Sequence, residues 1–201
     1  MKHLLLLCFF PMLLSSFSTY NKTLTDAERK FAVDHLNQTR KDLLESVKGL
    51  SNEQLNYKPA PDRWSVLECV QHITLSSQGI FGMVQQNAQG AGDSTFKSMV
   101  GDEQFIGMVE DRSHKSQAPE PFKPVNSPYK DLKETLKAFN KGRDSVVAYI
   151  KTTNDDLREH VAQMPFGKID DYQLVLLISA HTNRHMQQLN EVKADPNFPK
   201  K

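Results

Sequence analysis

"YQLVLLISAHTNRHMQQLNEV", residues 172–192, is the stretch that decides the fold. Its apolar residues recur at helical spacing, which predicts an amphipathic helix with one face toward a core. That inward face also carries His181 and His185, one helical turn apart. Because residues four apart project from the same side of a helix, the two rings can reach one common ion. The rest of the chain has to explain two imidazoles on a face that should be apolar.

Capping signals place two more helices upstream of this stretch. Thr25 with Glu28, and Ser65 with Glu68, have the three-residue spacing of a capping box, in which each side chain satisfies a free backbone N–H. The first helix runs from Thr25 to a stop near Gly49, and a short helical turn follows it. The second helix starts at Ser65 and carries an apolar face to about residue 84.

The third and fourth helices of the predicted set lie in the second half of the chain. We expect Ser127 to be the N-cap of the third helix, with Pro128 in its first position. The segment "MPFGKIDDY", residues 164–172, is predicted to be a turn. Asp170 or Asp171 then caps the fourth helix, where a negative charge meets the positive end of the helix dipole.

Between the second and third helices, residues 89–127 form a long irregular connection rich in Gly, Ser, Asp and Pro. A short helix within "DEQFIGMVEDRS", residues 102–113, is its one predicted element. Long connections of this kind are often functional loops. No useful strand alternation is present in the sequence, so we predict an all-α fold: a four-helix bundle with a long crossover between helices 2 and 3.

Residues 1–18 have the charged start, short apolar run and small residues of a secretory signal peptide. We expect cleavage near Thr19, leaving residues 19–201 as one domain of an exported protein, periplasmic or secreted. The alternative is an uncleaved membrane anchor. Loss of Cys8 with the signal leaves Cys69 alone, which excludes an internal disulfide in the mature chain.

The charge of the chain is balanced, with 25 Lys and Arg against 24 Asp and Glu. Such a balance gives no long-range attraction to nucleic acid or to anionic lipid, so neither is an expected partner. No segment after the signal is long and apolar enough to span a membrane stably. A small-molecule substrate is the expected partner. The sequence leaves open whether the chain forms a homodimer.

His72, in the middle of the second helix, is the best candidate for a third member of the histidine pair. Two ligands hold a metal poorly, and a bundle can supply a third from a facing helix. Neutral imidazole binds zinc, nickel, copper or iron well. The alternative is a pair of core histidines bonded to backbone carbonyls, with no metal.

Three segments of the chain resemble the DinB-like superfamily: "LTDAERKFAVDHLNQTRKDLLESVKGL" (24–50), "LSNEQLNYKPAPDRWSVLECVQHI" (50–73) and "HTNRHMQQLNEVKADPNFPK" (181–200). The resemblance implies a four-helix bundle with a long crossover over residues 19–201. It also implies a metal site of one histidine from the second helix and an HxxxH pair from the fourth, here His72, His181 and His185. Zinc and nickel are the metals it suggests. Some relatives are thiol-dependent transferases or isomerases, some look like hydrolases, and many have no known activity.

Other residues near the expected site each have two interpretations. Glu68 is a candidate general base, or it only completes its capping box. Arg184 and Gln188 are candidate substrate-binding residues that can bind a carboxylate or orient a ligand, or they anchor the fourth helix to the loop around Trp64. Cys69 is a fourth metal ligand or, as free cysteines usually are, a small buried apolar residue.

Two functions follow from these observations. The first is an exported protein that binds a divalent transition metal through three histidines and acts as a metal-dependent hydrolase on a small molecule. Export counts against a transferase that needs a cytosolic thiol. The alternative is a non-catalytic metal-binding or stress-related binding protein. Three nitrogen ligands with an open fourth position are typical of catalytic rather than structural zinc sites.

Overall fold

A computed structural model describes residues 23–114 and 117–200, so the predicted signal segment 1–18 lies outside the described residues. The described part contains six α-helices, two 3-10 turns and one β-hairpin. The elements are α1 Asp26–Val47, α2 Asn52–Asn56, α3 Val66–Asn87, α4 Asp102–Glu110, 3-10 turns Glu120–Phe122 and Pro124–Asn126, α5 Leu132–Thr152, β1 Val161–Met164, β2 Gly167–Asp170 and α6 Asp171–Lys193. None of the described helices combines the length and apolar character needed to cross a membrane.

The four long helices α1, α3, α5 and α6 form the bundle, which confirms the predicted all-α fold. Helix α6 packs against α1 and α3, and α5 packs against the same two helices, so α5 and α6 occupy opposite corners. The short helix α4 lies outside the bundle against α6. Because α4 and the two 3-10 turns all lie between α3 and α5, the long crossover is also confirmed.

Three of the predicted helix starts are confirmed by their capping contacts. The side chains of Thr25, Ser65 and Asp170 each accept a hydrogen bond from the backbone N–H three residues later. Thr25 and Ser65 form full capping boxes with Glu28 and Glu68. These local contacts orient α3 and α6, the two helices that carry the predicted histidines.

The predicted start of the third bundle helix at Ser127 and Pro128 is wrong. Helix α5 begins at Leu132, and Asp131 is its N-cap because its carboxylate accepts the N–H of Glu134 at 2.8 Å. The Ser127 hydroxyl instead accepts the N–H of residue 129 at 3.2 Å, in a segment that is not helical. Ser127 and Asp131 are both residue types that cap helices well, and in the folded chain Asp131 is the cap.

The segment predicted as a turn at residues 164–172 belongs to a hairpin. Strands β1 and β2 pair antiparallel, with Val161 opposite Asp170 and Met164 opposite Gly167. Gly167 adopts a φ of 125°, a conformation that L side chains rarely adopt, so glycine is needed there. Each strand is only four residues long, too short for an alternating pattern to stand out in the sequence. The hairpin delivers the chain directly to the start of α6.

A cluster of ion pairs around Arg158 lies at the end of the molecule that carries the hairpin. The Arg158 guanidinium lies 2.7 Å from Glu28, 2.6 Å from Asp102 and 3.0 Å from Asp170, measured between nitrogen and oxygen atoms. It also lies over the Tyr172 ring, 4.1 Å from the ring centroid. These residues, called the Arg158 cluster below, connect the starts of α1, α4 and α6.

Candidate metal centre

The structure brings the three predicted histidines together where α3 packs against α6. The Nε2 atom of His185 lies 3.1 Å from Nε2 of His72 and 3.1 Å from Nε2 of His181. The candidate ligand atoms of all three lie within 4.8 Å of one another. We call these residues the histidine triad. One ion can therefore reach all three rings, which is the geometry that the one-turn spacing in α6 allowed.

Two hydrogen bonds determine which nitrogen is free in two of the three rings, those of His72 and His185. The Nδ1 of His72 lies 2.7 Å from the carbonyl oxygen of Phe122, and the Nδ1 of His185 lies 2.8 Å from Oε1 of Gln188. Carbonyl and amide oxygens only accept hydrogen bonds, so each Nδ1 carries the proton. The Nε2 atoms of these two rings are left with lone pairs that point at each other.

The electrostatics of the triad keep its rings neutral. Burial lowers the pKa of His72, and burial, followed by the nearby His72 and Arg184, lowers the pKa of His181 to about 3. The pKa of His185 is also lowered well below its usual value, mainly by burial and then by the other two rings. Neutral imidazoles whose lone pairs converge form an incomplete set of acceptors, and a cation completes it. The donor set fits a divalent transition metal.

The members of the triad differ in their burial. His72 is buried, with 2% of its surface exposed, whereas His181 and His185 are only partly buried. Trp64 covers part of the group, with its ring centroid 4.7 Å from that of His72 and 5.9 Å from that of His185. Its contact with the triad was missed because no helical spacing relates it to His72.

The contacts of Glu68 fit its capping role. One carboxylate oxygen accepts the N–H of Ser65 at 2.8 Å, and the other accepts from Nζ of Lys58 at 2.7 Å. Neither contact leads to a triad histidine, so a role for Glu68 as general base stays a prediction. Cys69 is fully buried, and burial raises the pKa of its thiol to about 12. That environment favours the small apolar interpretation over a fourth thiolate ligand.

Arg184 and Gln188 have different surroundings despite their shared helix face. The Arg184 guanidinium donates to the backbone carbonyls of Val109, Asp111 and His114, so it holds the segment that follows α4. It does not anchor α6 to the loop around Trp64 through these contacts. Gln188 contacts His185 directly, which agrees with the predicted alternative that it orients a ligand. Substrate binding by either residue stays a prediction.

His35 lies outside the triad. Its Nδ1 is 2.8 Å from the Ser179 hydroxyl, and its Nε2 is 3.6 Å from a Glu110 oxygen. The residue that sequence reasoning missed entirely is Phe122. Its backbone carbonyl is the hydrogen-bond partner of His72 from 50 residues away, and no side-chain pattern can signal a backbone contact of that range.

Comparisons with known proteins place the fold and the family. The chain is 25% identical over 158 residues to the uncharacterized protein YuaE of Bacillus subtilis strain 168, which covers 78% of this chain and 94% of YuaE. The solved structure of YfiT from Bacillus subtilis superposes with a TM-score of 0.60 at 13% identity, covering 88% of this chain and 92% of YfiT. YfiT is described as a probable metal-dependent hydrolase with an unusual four-helix bundle topology.

The family match covers both helices that carry the triad. The model of the DinB superfamily matches residues 35–189, which include all three triad histidines. The resemblance in the sequence and the bundle topology agree with this match. Because it spans well over half of the 201 residues, the chain belongs to the DinB superfamily.

Proposed function

We propose that the histidine triad binds one divalent transition metal, zinc or nickel, and that the protein is a metal-dependent hydrolase of a small molecule. The observation that carries the proposal is the convergence of the Nε2 atoms, with the Nδ1 protons of His72 and His185 directed at oxygen acceptors. Imidazole is a good ligand for both metals. Three nitrogen ligands leave room for a substrate or water, as catalytic sites require.

The residues around the triad have defined tasks in this proposal. A bound metal supplies Lewis acidity and lowers the pKa of water. The Phe122 carbonyl and the Gln188 amide hold two ligand rings in the required tautomer, a support that commonly determines metal affinity. Trp64 packs against the rings of His72 and His185 and shields that side of the triad from solvent. The description of YfiT as a probable metal-dependent hydrolase supports the same reaction class.

A non-catalytic metal-binding or stress-related protein is the second candidate, and one observation favours it. Among the described residues, no carboxylate is hydrogen-bonded to a triad histidine. Glu191, an acid on the same helix as His185, is paired with Arg112 and Arg63. If the protein is a hydrolase, its general base must therefore come from outside these contacts, and Glu68 stays a candidate for it.

Metal analysis followed by a hydrolase screen tests the proposal. We expect purified protein to contain about one zinc or nickel ion per chain, to lose it to a chelator, and to regain it on addition of either metal. We then expect hydrolysis of at least one small ester, amide or phosphoester that stops with chelator and returns with metal. Protein without bound metal contradicts the whole proposal. Metal without turnover supports the non-catalytic alternative.

Export and self-association complete the proposal and depend on the sequence alone. We propose that residues 1–18 direct export and are removed. N-terminal sequencing of the exported protein should find a start near Thr19, and an intact Met1 would contradict it. We also propose that two copies of the chain associate as a homodimer. Analytical ultracentrifugation, giving the mass of the particle in solution, distinguishes it from a monomer.

A further inference from the structure

We infer that Gly79 is a positioning residue of the metal centre: it makes room for the Phe122 ring, and the Phe122 backbone in turn orients His72. The inference rests on the proposed metal site for its functional meaning. Its structural part, a chain of contacts from Gly79 to Phe122 to His72, can be tested without metal. Nothing in the spacing of the sequence relates these three residues.

The first contact is between α3 and the aromatic ring of the crossover. A Cβ atom added to Gly79 would lie 2.6 Å from Cζ of Phe122 and closer still to Cε1. Distances under 3.0 Å are essentially never seen for real Cβ atoms, so the ring occupies the space of the missing side chain. Only glycine permits this close approach of a ring to a helix backbone.

The second contact runs from the same residue to the triad. Phe122 ends the first 3-10 turn, and its carbonyl oxygen accepts the Nδ1–H of His72 at 2.7 Å. The ring and the carbonyl of Phe122 thus face two positions of α3 seven residues apart, about two helical turns. One residue of the crossover, Phe122, therefore packs its ring against α3 at Gly79 and hydrogen-bonds the buried His72 ring through its carbonyl.

The turn that carries Phe122 is short, and hydrogen bonds within it hold its backbone together. The Phe122 N–H donates to the carbonyl of Pro119 at 2.9 Å, and Asn126 Nδ2 donates to the carbonyl of Glu120 at 2.7 Å. Further along the crossover, Gln71 on α3 donates to the carbonyl of residue 129 at 2.8 Å. We expect displacement of the ring from α3 to move the Phe122 backbone with it, and so to lengthen the contact of the carbonyl with His72.

Loss of the carbonyl changes the chemistry of the ligand. Without the Phe122 acceptor, the Ser76 hydroxyl remains beside the ring, 3.5 Å from Nδ1 and 3.4 Å from Nε2. Because that hydroxyl favours neither nitrogen, neutral His72 can move its proton to Nε2, the nitrogen that faces His185. A protonated Nε2 cannot bind a metal. Loss of partners that orient a ligand histidine typically lowers metal affinity about 10- to 100-fold, and we expect that range here.

Gly79→Ala tests the inference, with Gly82→Ala as the matched control. Both glycines lie on α3, but a Cβ at Gly82 would have no atom within 4 Å. Alanine favours a helix over glycine at both positions, so helix propensity alone would stabilise both variants. We expect Gly79→Ala to lower zinc affinity about 10- to 100-fold, and Gly82→Ala to leave it unchanged.

A double variant separates steric displacement from general damage to the helix. Phe122→Ala keeps the backbone carbonyl but removes the ring, and with it the contact that holds this residue against α3 at Gly79. We therefore expect Phe122→Ala also to weaken zinc binding. Adding Gly79→Ala to Phe122→Ala should then cost nothing further, because the ring with which the new methyl group clashes is absent. Additive losses in the double variant would overturn the inference.

The tautomer of His72 supplies a measurement that does not need metal. In metal-free protein, ¹⁵N NMR of the imidazoles should show His72 protonated at Nδ1 in the unmodified chain and in Gly82→Ala, and shifted toward the Nε2–H form in Gly79→Ala. If the unmodified chain binds neither zinc nor nickel, the proposed function fails, and this tautomer shift still decides the inference. If zinc binds normally and Gly79→Ala retains both the affinity and the tautomer, the inference is wrong and the proposed function stands.

Discussion

The Arg158 cluster and the histidine triad are two polar groups placed among packed helices, and they differ in how the protein completes them. Arg158 meets three carboxylates, so opposite charges satisfy one another. The triad brings together three groups of the same kind, and the lone pairs of His72 and His185 face each other. Buried polar groups are normally paired within the protein. A group that is preorganised but incomplete therefore indicates a ligand, whereas a complete one indicates a structural joint.

Removing a triad ligand should give the largest effect. We expect His185→Ala to lower metal affinity about 100-fold or more, beyond the loss typical of supporting residues. The metal-dependent increase in melting temperature should disappear with it, because only binding to the folded state produces that increase. Metal content and melting curves with and without chelator measure both effects. His160→Ala is the control, and equal behaviour of the two variants would show that the triad is a set of core histidines.

Breaking the Arg158 cluster should have the opposite signature, a loss of stability without a loss of metal affinity. Arg158→Ala leaves three carboxylates close together, which we expect to cost about 2–3 kcal/mol after allowing for the partial exposure of the guanidinium. Urea denaturation of the metal-free protein measures the cost. Lys30→Ala removes an exposed pair with Asp34 and should change stability by less than about 0.5 kcal/mol. A fall in metal affinity in Arg158→Ala would contradict the assignment of a purely structural role to this cluster.

A supporting contact of the triad should give an intermediate effect. Gln188→Ala removes the acceptor for the Nδ1–H of His185, so metal affinity should fall about 10- to 100-fold while the fold is retained. Gln187→Ala is the neighbouring control, because Gln187 donates instead to the carbonyl of Glu110. Isothermal titration with zinc compares the two variants. If both weaken binding equally, the loss reflects α6 as a whole and not the orientation of one ring.

Asp171 sharpens the comparison because it is incompletely paired without belonging to a binding site. One of its oxygens accepts from Asn87 at 2.8 Å, the other is buried without a partner, and burial raises the pKa of the carboxyl to about 6. The folded state therefore binds this proton more tightly than the unfolded state does. The stabilising contribution of the protonated form is complete below about pH 4 and is lost as the pH rises through about 6.

The corresponding variant should have the smallest effect. Asp171→Asn should raise the free energy of unfolding by about 1 kcal/mol at pH 8, because it removes a buried charge, and by less at pH 5. Denaturation at both pH values measures the difference. Asp62→Asn, at an exposed position, should change little at either pH. A gain in Asp171→Asn that does not depend on pH would mean that ionisation of this carboxyl is not its source.

The parts of the fold that sequence could predict are those controlled by neighbours along the chain. The capping boxes at Thr25 and Ser65 and the cap at Asp170 depend on contacts three residues apart, and all three are present. The start of α5 was misplaced because Ser127 and Asp131 both offer a local cap, and only packing selects between them. The hairpin was missed because its strands are stabilised by each other and by α6, and not by a pattern within either strand.

The sequence by itself determined that this chain forms an all-α bundle and that His181 and His185 share one side of a helix, because helical periodicity and i, i+4 spacing are local properties. It also marked His72 as the candidate third member. Only the tertiary structure decided that the Nε2 atoms meet at 3.1 Å, that Phe122 supports His72, and that Arg184 is used to hold the segment after α4. These contacts join residues 50 or more positions apart, and such pairings depend on how the helices pack and not on the order of residues within any one of them.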